Sequence, residues 1–385
     1  MKGSDVVIIG GGISGVAAAY ELAGAGARVT VVEKGALASM ASGWTLAGVR
    51  QSGRHPAELP LAMAAVKRWE TLSEELGADV EYRQDGNLRL ARTEEEVPTI
   101  RSLVEEQRAL GLDLDYLPNP AAVREVGPAL AESIHAASFC PSDGHANPTA
   151  TVEAFAAAAT RRGAQVHTGE AVKLIETSNG RVTGVQTSQG RIGADVVVVA
   201  AGVYSDRLLS GVGLDLPLRI SLTAVVQTVP APPLLRQVLG VANADFAGRQ
   251  EVSGRFRFTS GGLPWTWPEH ELGAESVMPP ISGIHALLER GMAIIPALAT
   301  IPIARVWAGL IDNTPDALPV IERSPEIDGL VIAAGFSGHG FCLGPITGQL
   351  IRELVTPGET TLPIESFRRS RFADITDEVE SGLHG

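Results

Sequence analysis

Residues 6–33 constrain the fold more tightly than any other part of the chain. Val6-Val7-Ile8-Ile9 is a short unbroken apolar run, as expected of a parallel strand buried on both faces. Gly10, Gly12 and Gly15 follow in G-x-G-x-x-G spacing. Val16 to Ala25 is an Ala-rich helical stretch, and Val29-Thr30-Val31-Val32 is a second strand that ends at Glu33. Gly10 permits a tight strand-to-helix turn, Gly12 lets a pyrophosphate approach the backbone, and Gly15 lets the helix pack closely on the strand. Ile13 and Ser14 lie where the helix offers its first N–H groups and the positive end of its dipole to phosphates. Glu33 lies 18 residues after Gly15, where a carboxylate accepts hydrogen bonds from an adenosine ribose and repels a 2′-phosphate. The unit therefore predicts FAD or NAD rather than NADP. It occurs once, at the extreme N-terminus, which favours a flavoprotein without a second, nicotinamide site.

Composition narrows the rest. With 385 residues, 45% of them apolar and 19% charged, the chain has ample material for a packed core and suits two domains. Its formal net charge of −13, with no basic patch, argues against nucleic acid or an anionic membrane as partner. Two cysteines, Cys140 and Cys342, exclude a disulfide scaffold and an internal iron–sulfur cluster, and they suit the reducing cytoplasm. His55, His145 and His167 have no metal-ligand spacing, so no metal site is expected; they read as structural or surface residues. The first five residues run into a strand without a signal-peptide pattern, and no apolar run reaches membrane-spanning length.

Further buried strands are predicted at Asp195–Gly202 and Gly329–Gly335, with Val166–Leu174 as a neighbour. A hairpin is predicted from Arg181–Thr187 to Arg191-Ile192, and a C-terminal helix over Pro345–Leu354. Thr93 and Glu96 form a capping-box pattern before a helix to about Leu110, whose start Pro98 makes later. Short alternating runs between Leu218 and Ser260 suit an antiparallel sheet. The expected class is α/β. A Rossmann-like nucleotide-binding domain would be assembled from residues 1–80, 145–215 and 310–385. A second α+β domain on an antiparallel sheet, for substrate, would comprise residues 81–144 and 216–309.

The ordered string Gly10-x-Gly12-x-x-Gly15, Glu33-Lys34, Ala41-Ser42-Gly43, Ala200-Ala201-Gly202-Val203-Tyr204-Ser205, Trp307-Ala308-Gly309, Thr314-Pro315-Asp316, Pro319 and Gly335-Phe336-Ser337-Gly338-His339-Gly340-Phe341 spans nearly the whole chain. It resembles the D-amino-acid oxidase, sarcosine oxidase and glycine oxidase family of FAD enzymes. Gly48-Val49-Arg50-Gln51 and the segment from Trp307 to Asp316 look most like β subunits of hydroxyproline, proline or opine dehydrogenases and of hydrogen cyanide synthase.

The resemblance implies an extended FAD. Gly10, Gly12, Ile13, Ser14 and Gly15 would hold the pyrophosphate, and Glu33 with Lys34 the ribose end. Ser42 and Gly43 would lie along the ribityl or phosphate region, and Val172 against adenine. Gly48, Val49, Ala201 and Gly202 would also lie along the cofactor, with Gly338, His339, Gly340 and Phe341 at the flavin ring. The implied chemistry is hydride transfer from a carbon beside an amine nitrogen to flavin N5, followed by hydrolysis of the imine. The flavin carries that step, so no Ser-His-Asp apparatus is needed. Three departures matter. The flavin-linking Cys of monomeric sarcosine oxidases is replaced by Gly309, which implies noncovalent FAD. Ile311 and Cys342 replace an Arg and a Lys that anchor a substrate carboxylate in relatives. Arg50 is then the leading carboxylate anchor and, with His339, a candidate catalytic residue. Arg54, Arg255 and Arg257 are weaker, and Arg54 reads as a surface residue. Trp265 and Trp267 suit either the site mouth or plain packing.

The sequence thus predicts an FAD-dependent amine or amino-acid oxidoreductase acting on a secondary, cyclic or D-amino acid. Its electron acceptor would be oxygen or a cysteine-rich electron-transfer subunit. The alternative is a non-catalytic flavin-fold subunit, left open by the altered Trp44-Thr45-Leu46 stretch. An NAD-dependent dehydrogenase would leave the C-terminal motif unexplained.

Overall fold

A computed structural model describes residues 5–265, 277–356 and 358–373. The opening strand β1 (Asp5–Ile9) sits inside a six-stranded sheet. The order across the sheet is Val320–Arg323, Leu330–Ala334, Val196–Val199, β1, β2 (Arg28–Val32) and Gln165–His167. All neighbours are parallel except the first pair. Alternation along β1 decides its two packings. Val6 and Ile8 face a core shared with helices, and Val7 and Ile9 face a core shared with a three-stranded antiparallel sheet of residues 172–193.

The helical side holds α1 (Ile13–Gly24), Leu59–Trp69, Pro148–Arg161 and Gly340–Val355. The small residues of α1 permit a close crossing. A Cβ on Gly348 would stand 2.6 Å from the backbone carbon of Ala17. Helix Gly340–Val355 therefore lies directly on α1, and its N-terminus is brought to the same sheet edge as the glycine turn.

A nine-stranded sheet stands apart from the first. It contains Asn87–Ala91, Asp115–Leu117, Ala136–Cys140 and strands from Arg219 to Asn313, paired antiparallel except for Asn87–Ala91 with Val238–Val241. One face is apolar and packs Leu88, Val226, Phe246 and Phe256 against helix Ile281–Ile294. The other carries Arg89, Arg249, Arg257, Gln227 and Trp307. The hairpin expected over Arg181–Ile192 is present.

Three expectations need correction. The strand foreseen over Val166–Leu174 divides. Gln165–His167 pairs with β2, Gly169 turns the chain with a φ of +69°, and Val172–Ser178 joins the three-stranded sheet. The capping box at Thr93 is not formed. Glu96 instead accepts the Arg92 amide at 2.6 Å and its guanidinium at 3.0 Å, and helix Val97–Ala109 starts beside Pro98. The C-terminal helix begins at Gly340, five residues before Pro345. Donors from outside the helix take carbonyls around the proline: Trp69 Nε1 reaches Cys342 O at 2.9 Å and Arg68 Nη1 reaches Pro345 O at 2.8 Å. Trp267 lies outside the described residues, whereas Trp265 packs beside Trp44, Tyr204 and Leu263.

Candidate active site

The glycine turn has the geometry of a dinucleotide cradle. Gly10 is left-handed, with φ +116°, and a Cβ there would stand 2.2 Å from Ala200 O. A Cβ on Gly15 would stand 2.0 Å from Gly10 O. Turn, helix and the Ala201-Gly202 segment are thus locked together by backbone contact. No side chain caps α1 at Gly12, and Ile13 N–H donates to Ser42 Oγ at 3.0 Å. Ser14 is buried in the same first turn. A helix start whose own N-cap residue, Gly12, has no side chain suits a pyrophosphate, with Ser42 on the first N–H.

Glu33 accepts Gly11 N–H and Gly35 N–H, each at 2.7 Å, one on each carboxylate oxygen. Each oxygen keeps a lone pair for a ribose hydroxyl. Gly169 and Glu170 donate to Gly35 O and Glu33 O at 3.0 Å, so the chain leading to Val172 runs beside this acid. Val172 and Ala201 pack on one apolar cluster. Lys34 Nζ lies 3.4 Å over the Tyr204 ring. Gly43 is tight against Ala38 O. The structure therefore gathers the residues proposed for the adenosine and pyrophosphate ends of a dinucleotide, and they fit one.

The remaining predicted residues converge at a second place. Gly48-Val49 pairs antiparallel with His145-Gly144. Arg50 follows, half-buried, with Nη1 on Ser52 O at 2.6 Å. Asp143, fully buried, accepts Gln51 N–H at 2.8 Å, Ser52 N–H at 3.3 Å and the Ser52 hydroxyl. Gln107 accepts Gly53 N–H at 2.8 Å and donates to Arg54 O at 3.0 Å. The loop 50–54 is thus held by Asp143 and by Gln107 of helix Val97–Ala109.

Arg54 is 2% exposed, which corrects its reading as a surface residue. Its Nη1 stands 3.8 Å from Glu58, four residues on. Glu58 in turn contacts His339 Nδ1 at 2.9 and 3.1 Å. His339 is 3% exposed, directly before helix Gly340–Val355, and Cys342 Sγ donates to Arg50 O at 3.4 Å. Phe341 turns its ring away into the helical core against Trp69, with ring centroids 5.1 Å apart. Only its backbone is left for a ligand.

The polar face of the nine-stranded sheet meets the same region. Trp307 Nε1 donates to Trp44 O at 3.2 Å, and Arg257 Nη1 donates to Thr45 O at 2.8 Å. Arg257 is also paired with Glu251 at 2.7 Å. Arg255 donates to Thr228 O at 3.0 Å, so both arginines already have partners within the protein. His145 Nδ1 lies 2.6 Å from Arg249 and is buried; His167 pairs with Glu170. Asp312 accepts Gly335 N–H at 2.8 Å and so fixes the start of the 335–340 loop; burial pushes its carboxyl up to about 6. Ile311 lies 3.9 Å from where a Gly338 side chain would begin, and Gly309 faces Trp44.

Sequence reading missed Glu58, Asp143, Gln107 and Asp312. Only Glu58 left a trace, the i, i+4 spacing to Arg54. The others act on partners far away in the chain.

Charge states follow from the packing. Burial pushes the Glu58 carboxyl up, but His339, Arg54 and Arg50 outweigh this and hold it at about 2. Burial, helped by Arg54 and Arg50, lowers His339 to about 4 against the pull of Glu58. A histidine held below its unfolded pKa of about 6.5 binds its proton more readily in the unfolded state. The stability it contributes is complete above pH 6.5 and is lost as pH falls through 4, by up to about 3 kcal/mol. Urea melts from pH 7 to 4 should show His339→Gln losing less stability than the wild type; parallel curves would refute this.

Comparison with known proteins accords with this geometry. The family model DAO, described as FAD dependent oxidoreductase, matches residues 5–354. Glycine oxidase from Geobacillus kaustophilus is 30% identical over 376 residues, covering 95% of this chain and 97% of that protein. Sarcosine oxidase subunit beta from Rhizobium meliloti is 29% identical and covers 96% and 88%. Among solved structures, L-proline dehydrogenase from P. horikoshii superposes with a TM-score of 0.89 at 32% identity, covering 97% and 98%.

Proposed function

This chain belongs to the DAO family of FAD-dependent oxidoreductases, and on that premise we propose that it oxidises a secondary, cyclic or D-amino acid at the bond between carbon and nitrogen. It is an enzyme that uses FAD and acts on amino acids or amines. The carrying observation is that Glu58, with Arg54 beside it, meets His339, and Arg50 meets Cys342, so that the N-terminal third of the chain joins the N-terminus of the C-terminal helix. Bound FAD supplies the acceptor for the hydride that leaves the substrate carbon. Gly10, Gly12, Ile13, Ser14 and Gly15 would hold its pyrophosphate with Ser42 and Gly43, and Glu33 and Lys34 its ribose. Val172, Ala201 and Gly202 would flank the adenosine, with Gly48 and Val49 along the flavin. The backbone N–H groups of Gly338, Gly340 and Phe341 would face the ring, where a helix N-terminus stabilises negative charge.

What the chain itself supplies is orientation and dryness. Arg50 is the group for a substrate carboxylate, because a guanidinium matches it with two parallel bonds. Residues 1–80, 145–215 and 310–385 make the cofactor domain in this reading, and 81–144 and 216–309 the substrate domain. Arg50→Met should raise KM for an amino-acid substrate by roughly 30- to 100-fold, with kcat changing less; unchanged kinetics would remove Arg50 from the site. With Gly309 offering no thiol, the flavin should be noncovalent. Acid precipitation should leave all the yellow colour in the supernatant; colour in the pellet would contradict this.

The test of the function is anaerobic mixing of the holoenzyme with cyclic, N-methylated and D-amino acids. Bleaching of the flavin by at least one is expected, and bleaching by none would reject the reading. The likeness to a sarcosine oxidase β subunit supports a cysteine-rich electron-transfer subunit as acceptor, and oxygen is the other candidate. Peroxide release by the isolated chain separates them. Both cysteines are free, which supports a reducing cytoplasmic setting, and among the described residues no helix is long and apolar enough to cross a membrane.

A further inference from the structure

We propose that Glu58 is a positioning residue. It fixes His339 as the tautomer protonated on Nδ1, so that Nε2 presents a lone pair to an N–H donor of the bound cofactor or substrate. The inference deepens the reading above and rests on it for the ligand.

An ionised carboxylate only accepts hydrogen bonds, so a ring nitrogen 2.9 to 3.1 Å from Glu58 carries the proton. Glu58 is fully buried, at the N-terminus of helix Leu59–Trp69, with the Arg54 guanidinium 3.8 Å away; both keep it ionised. Free imidazole favours its proton on the other nitrogen, so this tautomer has to be imposed by a partner. The second nitrogen, His339 Nε2, is buried and has no hydrogen-bond partner among the described residues. A buried polar atom left so is costly, which points to a partner that arrives from outside the chain.

A second proton on His339 is opposed from every side but one. Arg50 and Arg54 face it from the 50–54 loop, and the 16-residue helix Gly340–Val355 turns its positive end to it; Glu58 alone favours the cation. Nε2 is therefore an acceptor. The groups that can meet it are an N–H of the flavin ring or the amino group of the substrate. In the second case Nε2 would hold the amine with its N–H towards the imidazole and its lone pair free to assist loss of hydride from the adjoining carbon. No proton need be transferred.

The test uses the ring nitrogens directly. Protein labelled with ¹⁵N-histidine is observed by long-range ¹H–¹⁵N correlation, and His339 is identified by its absence from the His339→Gln spectrum. In wild-type holoenzyme at pH 7, Nδ1 should appear protonated and Nε2 unprotonated. An Nε2–H tautomer or an imidazolium would overturn the proposal without bearing on whether the enzyme oxidises amines. Glu58→Met should lose the Nδ1–H tautomer; retention would show that Glu58 does not impose it. Should that variant fail to fold, the wild-type spectrum still decides. The donor is found in two steps. An upfield move of Nε2 between FAD-free and FAD-loaded protein assigns the flavin. A move only on adding sarcosine, glycine or L-proline to holoenzyme already reduced with dithionite assigns the amine. No move at either step overturns the acceptor role.

Discussion

Gly15→Val should give a protein without FAD and with little folded population at 37 °C. A Cβ at this position would stand 2.0 Å from Gly10 O, and that oxygen belongs to a turn itself pressed on Ala200. Neither side is the end of a flexible chain, so β1, α1 or the strand Val196–Val199 must move as a body. The expected cost is at least about 4 kcal/mol, since overpacking here displaces backbone rather than a rotamer. Helix α1 also carries helix Gly340–Val355, so its displacement should disturb the His339 end of the site as well. The control is Gly193→Ala, on an exposed edge strand where a Cβ would make only ordinary contacts with the Arg191 side chain and Thr183 O, which should stay within about 0.5 kcal/mol of wild type. Flavin absorbance per protein and urea unfolding measure both. A yellow Gly15→Val protein of normal stability would mean that this turn is not the cofactor cradle.

The second large effect is expected from Asp143→Ala. This carboxylate has no exposure and satisfies Gln51 N–H, Ser52 N–H and the Ser52 hydroxyl; the Asn87 amide adds a bond to the same hydroxyl at 3.2 Å. Its removal strands those donors in a place water does not reach. Buried Arg89 and half-buried Arg50 also lose their neighbouring anion. A loss of about 3–5 kcal/mol follows. Any holoenzyme recovered should show a reduced kcat/KM, because the loop that carries Arg50 loses its anchor. Asp143→Asn keeps one acceptor but presents an NH2 to backbone N–H groups, so it should fall between. A wild-type melting curve for Asp143→Ala would refute the account.

Local sequence revealed the parts of the fold that depend on neighbours. Val6–Ile9, Val196–Val199 and Leu330–Ala334 are apolar on both faces and were legible as buried parallel strands, as was the glycine turn between Ile9 and Val16. Elements whose limits are set by distant partners were not. Helix Gly340–Val355 starts five residues before its proline, in a stretch where Trp69 and Arg68 from elsewhere in the chain bond the carbonyls of Cys342 and Pro345. Glu96 leaves its capping role because Arg92 claims it. In the site, Arg54 has the composition of a surface residue, and its burial is made tolerable by Glu58 and by contacts of its loop with Gln107. Asp143 lies in a turn-like string, Asp143 to Pro148, whose first residue is a buried acceptor and whose Asn147 caps the next helix by accepting Ala150 N–H at 3.1 Å. No local pattern separates those two roles.

The six-stranded sheet has an implication for how the chain is made. Its central pairing joins residues 5–9 to residues 196–199, and those to residues 330–334. At about 10 residues per second, the first strand leaves the ribosome roughly half a minute before the last parallel strand exists. During that interval the nascent chain exposes an unfinished apolar edge, and His339 with its part of the site is still unsynthesised. Nucleotide capture is therefore expected to be post-translational, and a ribosome stalled before residue 330 should display a chain that aggregates rather than one that turns yellow.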